Sequence, residues 1–412
     1  MKTRLLPALG CALALSACGT GILWKTPIEG AALNGSPLPI AAEGNNLYQL
    51  FPVGTQLHLR KLNSAGKEQW QVAVDDTLAN ALTSPKLRAT ADGVVVGYQD
   101  SANKQVFLKG FDGDGNERWF SDLGEHASET LDDLTSGSNG TVTAAVRLSG
   151  TLVNAVQFDA SGTLLWETAI PACYLLCVTT LGSDSNGNTL VANTEIAATK
   201  SYLLDSSGTQ VWYQRRATGI STLGLVANKI TTTVDGFALH HPFVSWGYDI
   251  DGTPTWSYSS GSQANLAATA TSEYYVPGFE KISHLDSAGN LLNELDFSDQ
   301  KGVRQIEWRD DVQRLIVLSS YETTGPEIDG TITVESGQTL SIYDATGARK
   351  ARYTSKATQV KSALCTPYPQ CTSIVTIPGE SWSQFTTTAD RKLVVSGLTF
   401  DSERFAKALK LP

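Results

Sequence analysis

Phe158-Asp159-Ala160-Ser161-Gly162-Thr163-Leu164-Leu165-Trp166 decides how this chain is read. An apolar strand end runs into an Asp, a Gly follows three residues later, and a Trp four after that. Asp can accept a bond from backbone two residues on, and Gly supplies positive φ, so the pair closes a tight hairpin. The same corner recurs as Asn63/Gly66/Trp70, Asp112/Gly115/Trp119, Asp205/Gly208/Trp212 and Asp249/Gly252/Trp256. Asp286/Gly289 and Asp344/Gly347 keep the corner, with Asn293 and Ala351 where the Trp would stand. Successive corner glycines lie 49, 47, 46, 44, 37 and 58 residues apart. Self-similarity at that period on an all-β background is the mark of a propeller. The Trp on each returning strand is expected to fill the gap between neighbouring blades.

The ends of the chain extend the count. Ile22-Leu23-Trp24-Lys25-Thr26-Pro27-Ile28 looks like the strand after a corner, with no corner before it. Residues 393–397 and 405–411 read as the second and third strands of a blade that stops before its fourth. The N-terminal strand is therefore expected to complete the last blade. A second series of short polar turns gives eight inner hairpins: Gly44-Asn45, Asp92-Gly93, Asn139-Gly140, Asn186-Gly187, Ala227-Asn228, Ser272-Glu273, Asp310-Asp311 and Ala389-Asp390. The expected fold is all-β: one eight-bladed propeller of four-stranded antiparallel blades over residues 22–412.

Composition agrees. The 412 residues include 36 Gly, are 41% hydrophobic and only 17% charged, enough apolar matter for a large core. The net charge is −10. Losing Lys2 and Arg4 with a leader would take it to −12 (−10 − 2). No basic stripe is present, which disfavours nucleic acid as a partner.

Met1-Lys2-Thr3-Arg4 reads as a basic n-region, and residues 5–17 form an apolar stretch too short to span a bilayer as a helix. It ends in Leu15-Ser16-Ala17-Cys18-Gly19. This resembles the lipobox of bacterial lipoproteins, which implies cleavage before Cys18 and lipids on that Cys. Residues 1–17 are then a signal peptide, and 18–21 a lipidated Cys with a short tether. Gly19 after the Cys points to the outer membrane. Several acyl chains anchor stably where one would not. An ordinary secretory cut after Ala14 or Ala17 is the plainer alternative. Residues 19–21 reach roughly 10 Å at about 3.3 Å each, which would keep the disc close to the membrane.

Cys11 would leave with the leader and Cys18 would be acylated, so four Cys remain. In an exported protein they are expected as two local disulfides, Cys173 with Cys177 and Cys365 with Cys371. His58, His126, His240, His241 and His284 are scattered, and no metal site is expected. No nucleophile elbow, P-loop or His-Glu-x-x-His stands in the chain. Asp112-Gly-Asp-Gly-Asn116 opens like an EF-hand loop but has Glu117 at the sixth position and Leu123 at the twelfth, so a plain corner is expected. Trp246, Trp308 and Trp382 read as core, with a surface role open for Trp382.

Three insertions fall on the loop type opposite the Asp-x-x-Gly corners: residues 173–177, 323–339 and 355–381. Long loops gathered on one face suggest a working surface. Simple tolerance of insertions there is the competing reading.

The corner motif resembles the tryptophan-docking repeat of eight-bladed PQQ-like (quinoprotein-type) propellers, over nearly all of residues 22–412. The plan is similar to the outer-membrane assembly factor lipoproteins of the β-barrel assembly machinery: lipobox, length, eight blades, no catalytic apparatus. That resemblance implies a non-catalytic monomeric scaffold, without cofactor, lipid-anchored at Cys18 on the periplasmic side. Its partner would be another envelope protein, an outer-membrane protein or its assembly machinery. Quinoprotein dehydrogenases usually carry an adjacent Cys-Cys pair, and none occurs here. The alternative is a propeller whose central funnel binds a small ligand or glycan, or catalyses as a hydrolase or quinoprotein-like enzyme.

Overall fold

A computed structural model describes residues 22–28, 39–53, 56–75, 85–99, 105–124, 130–148, 152–171, 177–195, 197–218, 229–262, 264–324, 331–355, 357–362, 375–377, 381–398 and 404–412. Every regular element among them is a β-strand, and they form eight sheets. Blades 1 to 6 each take four consecutive antiparallel strands and span 40–75, 86–122, 130–171, 178–217, 229–259 and 267–296. The eighth blade is ordered β1-β34-β33-β32, from Ile22–Ile28, Arg404–Lys410, Lys392–Leu398 and Ser381–Thr387. Trp24 lies opposite Ala408 and Thr26 opposite Ala406. The N-terminal strand closes the ring, as its sequence indicated.

Burial follows position in the blade. Second strands such as Gly93–Gln99 and Gly236–His241 are buried along their whole length, because a neighbouring blade covers each face. Outermost strands such as Gln210–Ala217 alternate exposed and half-buried, since they form the rim. The core is a circuit of clusters, each shared by two blades. Leu50 and Leu59 of blade 1 meet Leu87 and Val96 of blade 2, and Leu47 of blade 1 meets Val394 and Ala408 of blade 8.

At each corner one Asp or Asn oxygen accepts two backbone N–H groups. Asp159 Oδ1 takes Ser161 N at 2.8 Å and Thr163 N at 2.9 Å. Gly162 turns there at φ 82°. The indole of the preceding blade then lies on the corner glycine: a β-carbon on Gly162 would stand 2.2 Å from Trp119 Cγ. Six such contacts run round the ring, Trp24 on Gly66, Trp70 on Gly115, Trp119 on Gly162, Trp166 on Gly208, Trp212 on Gly252 and Trp256 on Gly289. Trp24 and Trp70 also donate Nε1–H to the second corner carbonyl, at 2.9 Å each.

The two missing tryptophans have physical reasons. Blade 6 has Asn293 at the position, and Leu295 approaches Gly347 instead, at 3.4 Å from a β-carbon there. Ala351 of blade 7 would face a corner in blade 8, but that blade joins its last two strands from opposite chain ends, so no corner hairpin exists. Tyr353 covers the position by donating its hydroxyl hydrogen to Lys410 O.

Two expectations need correction. The fifth inner turn is not Ala227-Asn228. Lys229–Thr233 is the inner strand itself, and the turn is Val234-Asp235, before Gly236 at φ 152°. A Thr run favours strand, and an Asp-Gly pair marks the turn better than Ala-Asn. The insertions 323–339 and 355–381 are also not separate loops. In blade 7, β26 (Lys301–Arg309), β27 (Arg314–Thr324), β28 (Thr331–Asp344) and β29 (Arg349–Thr354) form the blade proper. β27 and β28 run on past it as one hairpin, pairing as far as Thr324 with Val334. β30 (Ala357–Ser362) then pairs with the first half of β28, and β31 (Val375–Ile377) with β30. The described parts of the two insertions pair as one β-arm.

Replacing Gly162 with Ala is expected to cost about 2–4 kcal/mol, from a left-handed backbone and an indole with no room to retreat. Gly44, at φ 56° with nothing within 4 Å of a β-carbon, should lose only about 1–2 kcal/mol on the same change. Denaturant melts of the two variants check this; equal losses would contradict the docking role.

Candidate functional site

The ring has two unlike faces. One carries the inner hairpins and the corners, and the other carries the turns between second and third strands and the arm. On the corner face the repeated carboxylates are committed to their own turns. Side-chain and backbone donors hold Asp112, Asp159, Asp205, Asp286 and Asp344 below the usual carboxylate range, led by Asn116, Ser161, Ser207, Asn290 and Lys350 respectively. Asp249 accepts Asp251 N and Thr253 N in the same way. Asp112 therefore acts as a corner residue, bonding Asp114 N and Asn116 N at 2.9 Å.

The inner hairpins surround a funnel of about 560 Å³. Its wall is rich in hydroxyls, among them Thr90, Ser136, Ser183, Thr232 and Thr269, with Glu43, Asp184 and Asp310 as the carboxylates. Asp184 Oδ1 already accepts Asn186 N and Asn188 N at 2.8 Å. Asp310 accepts Trp308 Nε1 at 2.9 Å and Ala270 N at 3.0 Å. Among the described residues the lining holds no His, Cys, Lys or Arg. Such a wall can hydrogen-bond a small polar ligand.

Deeper in the channel, polar side chains link the inner strands of adjacent blades. Asn265 grips the Ile306 backbone, donating to its O at 2.7 Å and accepting from its N at 3.1 Å. Gln305 does the same to Phe385, at 2.9 and 3.0 Å. Asp133 Oδ2 accepts Leu181 N at 3.0 Å. These contacts were not foreseen. A lone polar residue on an inner strand reads the same whether it faces water or the next blade's backbone.

On the opposite face, a groove of about 470 Å³ lies where blades 5, 6 and 7 meet. Pro242, Phe243, Phe279 and Val303 give it an apolar lining, and Arg304 and Ser320 stand at its blade 7 side. Phe279 is 73% exposed, the most exposed large hydrophobic side chain among the described residues. Its ring covers Gly261, where a β-carbon would come within 2.5 Å of Phe279 Cδ2. The sequence held a signal here: an aromatic set directly after the Pro277-Gly278 turn, where a polar residue is usual.

The remaining candidates are placed as follows. Cys18, Cys173, Cys365 and Cys371 lie outside the described residues, as does His126. Cys177 is disulfide-bonded, and Arg147 Nη1 lies 2.8 Å from its Sγ. Trp246, Trp308 and Trp382 are all core, Trp382 at 1% exposure, so no surface role falls to it. His284 lies 2.8 Å from Glu273 and stacks on Tyr275. Among the described residues no group of three or more His, Cys, Asp or Glu could hold a metal ion. No described helix is long and apolar enough to cross a membrane.

No family model and no curated protein matches the chain. Solved structures do. BamB from Moraxella catarrhalis is 14% identical with a TM-score of 0.54, over 94% of this chain and 100% of that one. The WD40 domain of SCAP from fission yeast is 11% identical with a TM-score of 0.48, over 94% and 98%. A puromycin hydrolase S511A mutant complexed with PGG is 10% identical with a TM-score of 0.46, over 92% and 61%. At such identity the BamB likeness is one of fold: the chain is an eight-bladed propeller over nearly the whole length of that structure.

His240 gives the ring a pH signature. Its Nε2 donates to Ser262 O at 2.9 Å, so Nδ1 accepts from Ser245 Oγ at 2.7 Å. Burial first, with His241 and Lys229 adding, pushes its pKa down to about 4. The unfolded chain takes that proton near 6.5, so the neutral ring's contribution is full above 6.5 and is lost as pH falls toward 4. About 3 kcal/mol should disappear across that window. Urea melts between pH 7.5 and 4.5 test this. His240→Gln should flatten much of the slope, and an unchanged midpoint in the wild type would contradict it.

Proposed function

We propose that this chain is an exported lipoprotein, cut before Cys18 and acylated there, that serves the outer membrane as a non-catalytic scaffold. It presents one face of a rigid ring to another envelope protein. The observation that carries this reading is the β-arm of blade 7. The ring is already closed, and each blade interface has its own core without the arm. A paired extension beside an apolar groove is therefore surplus to the fold, and it falls on the face away from the corners. A preorganised surface of this kind loses little conformational freedom on binding. The likeness of the overall plan to assembly-factor lipoproteins supports the same direction. The hydroxyl-lined funnel sustains a second reading, in which a small polar ligand sits at the corner face.

A photo-crosslinking residue at Glu322 on the arm, compared with one at Ser207 on the corner face, tests the reading in intact envelopes. A discrete adduct from position 322 and none from 207 is expected. Adducts from 207 alone, or from both alike, would contradict it. Cys18→Ser should move the chain from the membrane to the soluble fraction.

A further inference from the structure

The groove and the arm meet at one strand edge. β26 pairs with β27 no further than Lys301 opposite Ser320. β27 continues to Thr324, and residues 322–324 are exposed. On the side away from β28, these residues have no strand beside them among the described residues. An edge of this kind offers unmade backbone hydrogen bonds to any extended segment that reaches it.

What lies beside the edge narrows the visitor. Ser320 ends the pairing of β27 with β26 and also lines the groove. The Phe279 ring stands over the groove beside Gly261. Arg304 is exposed on the blade 7 side, and its Nε donates to Ser320 Oγ at 3.0 Å. The described residues place no carboxylate within ion-pair distance of it. A strand edge, an apolar pocket and a guanidinium with no carboxylate partner among the described residues thus stand side by side. Main-chain pairing supplies affinity and the pocket supplies selectivity when a strand is added to a sheet. A guanidinium favours a carboxylate, which it can bind through two N–H groups.

We infer that this groove takes an extended segment of the partner protein, added as a strand to β27, with an apolar side chain against Phe279 and a carboxylate on Arg304. The inference rests on the scaffold reading and names the chemistry of its partner.

The probe is a fluorescein-labelled decapeptide of alternating Thr and Val, with one central Phe and an Asp two residues from it. A second peptide has Lys in place of the Asp. Anisotropy titrations on the full chain should show saturable binding of the Asp peptide, at least tenfold tighter than the Lys peptide. Arg304→Glu should reverse that preference, which a merely misfolded variant could not do. Phe279→Ala should weaken both peptides about tenfold. No saturable binding, or a preference unchanged in Arg304→Glu, would overturn the inference. Failure here with a Glu322 adduct still formed removes the groove and leaves the scaffold. Peptide binding without that adduct does the opposite.

Discussion

One contact, made six times round the ring, organises this molecule: an indole from one blade resting on the corner glycine of the next. The corner must turn at positive φ to reverse the chain, and the residue that does this most easily has no side chain. The absent β-carbon leaves a flat place for the ring of a Trp. Turn and interface are thus solved by the same atoms. Removing one such indole would leave a large hole between two sheets, at a cost of about 3–5 kcal/mol. The relay also explains its own gaps. It lapses in blade 6, where Leu295 approaches Gly347 instead, and at Ala351, because blade 8 is assembled from the two ends of the chain and has no corner to offer. It starts again with Trp24, on the strand that closes the ring.

Closure divides the labour between the two faces. The corner face carries Asp-x-x-Gly hairpins whose carboxylates are consumed by backbone N–H groups. The funnel carboxylates Asp184 and Asp310 are likewise occupied. Inside, Asn265 and Gln305 tie one inner strand to the next and leave the channel wall polar. The opposite face is free of these duties. There the chain places Phe279 in the open, leaves Arg304 with no carboxylate at ion-pair distance among the described residues, and extends β27 and β28 beyond their blade. Uncommitted chemistry gathers where the fold makes least demand on it.

Local chemistry made most of the fold readable. Asp159, Gly162 and Trp166 announce turn, backbone sign and returning strand within nine residues, and seven copies give the ring. Trp24 without a corner announced the closure. What was hidden depends on distance or on environment. Thr-Thr-Gly-Pro-Glu at 323–327 reads as a loop, and nothing local says that its flanks continue as strands or that Ala357–Ser362 pairs with them. Ala227-Asn228 imitated a turn that belongs to Val234-Asp235. In the candidate site, Phe279 left a faint trace in its Pro-Gly turn. Arg304 left none, since its meaning lies in the lack of a neighbouring carboxylate.

Hydrogen exchange on full-length chains carrying Trp24→Ala or Trp166→Ala tests the relay most directly. Losing Trp24 should raise exchange about a hundredfold in β1, β34 and the corner at Asn63, while blades 3 to 5 keep their protection. Losing Trp166 should do the reverse, loosening the corner at Asp205 and sparing the closing blade. Identical profiles for the two variants, or no change at the closing blade when Trp24 is gone, would mean that the indoles do not hold the ring.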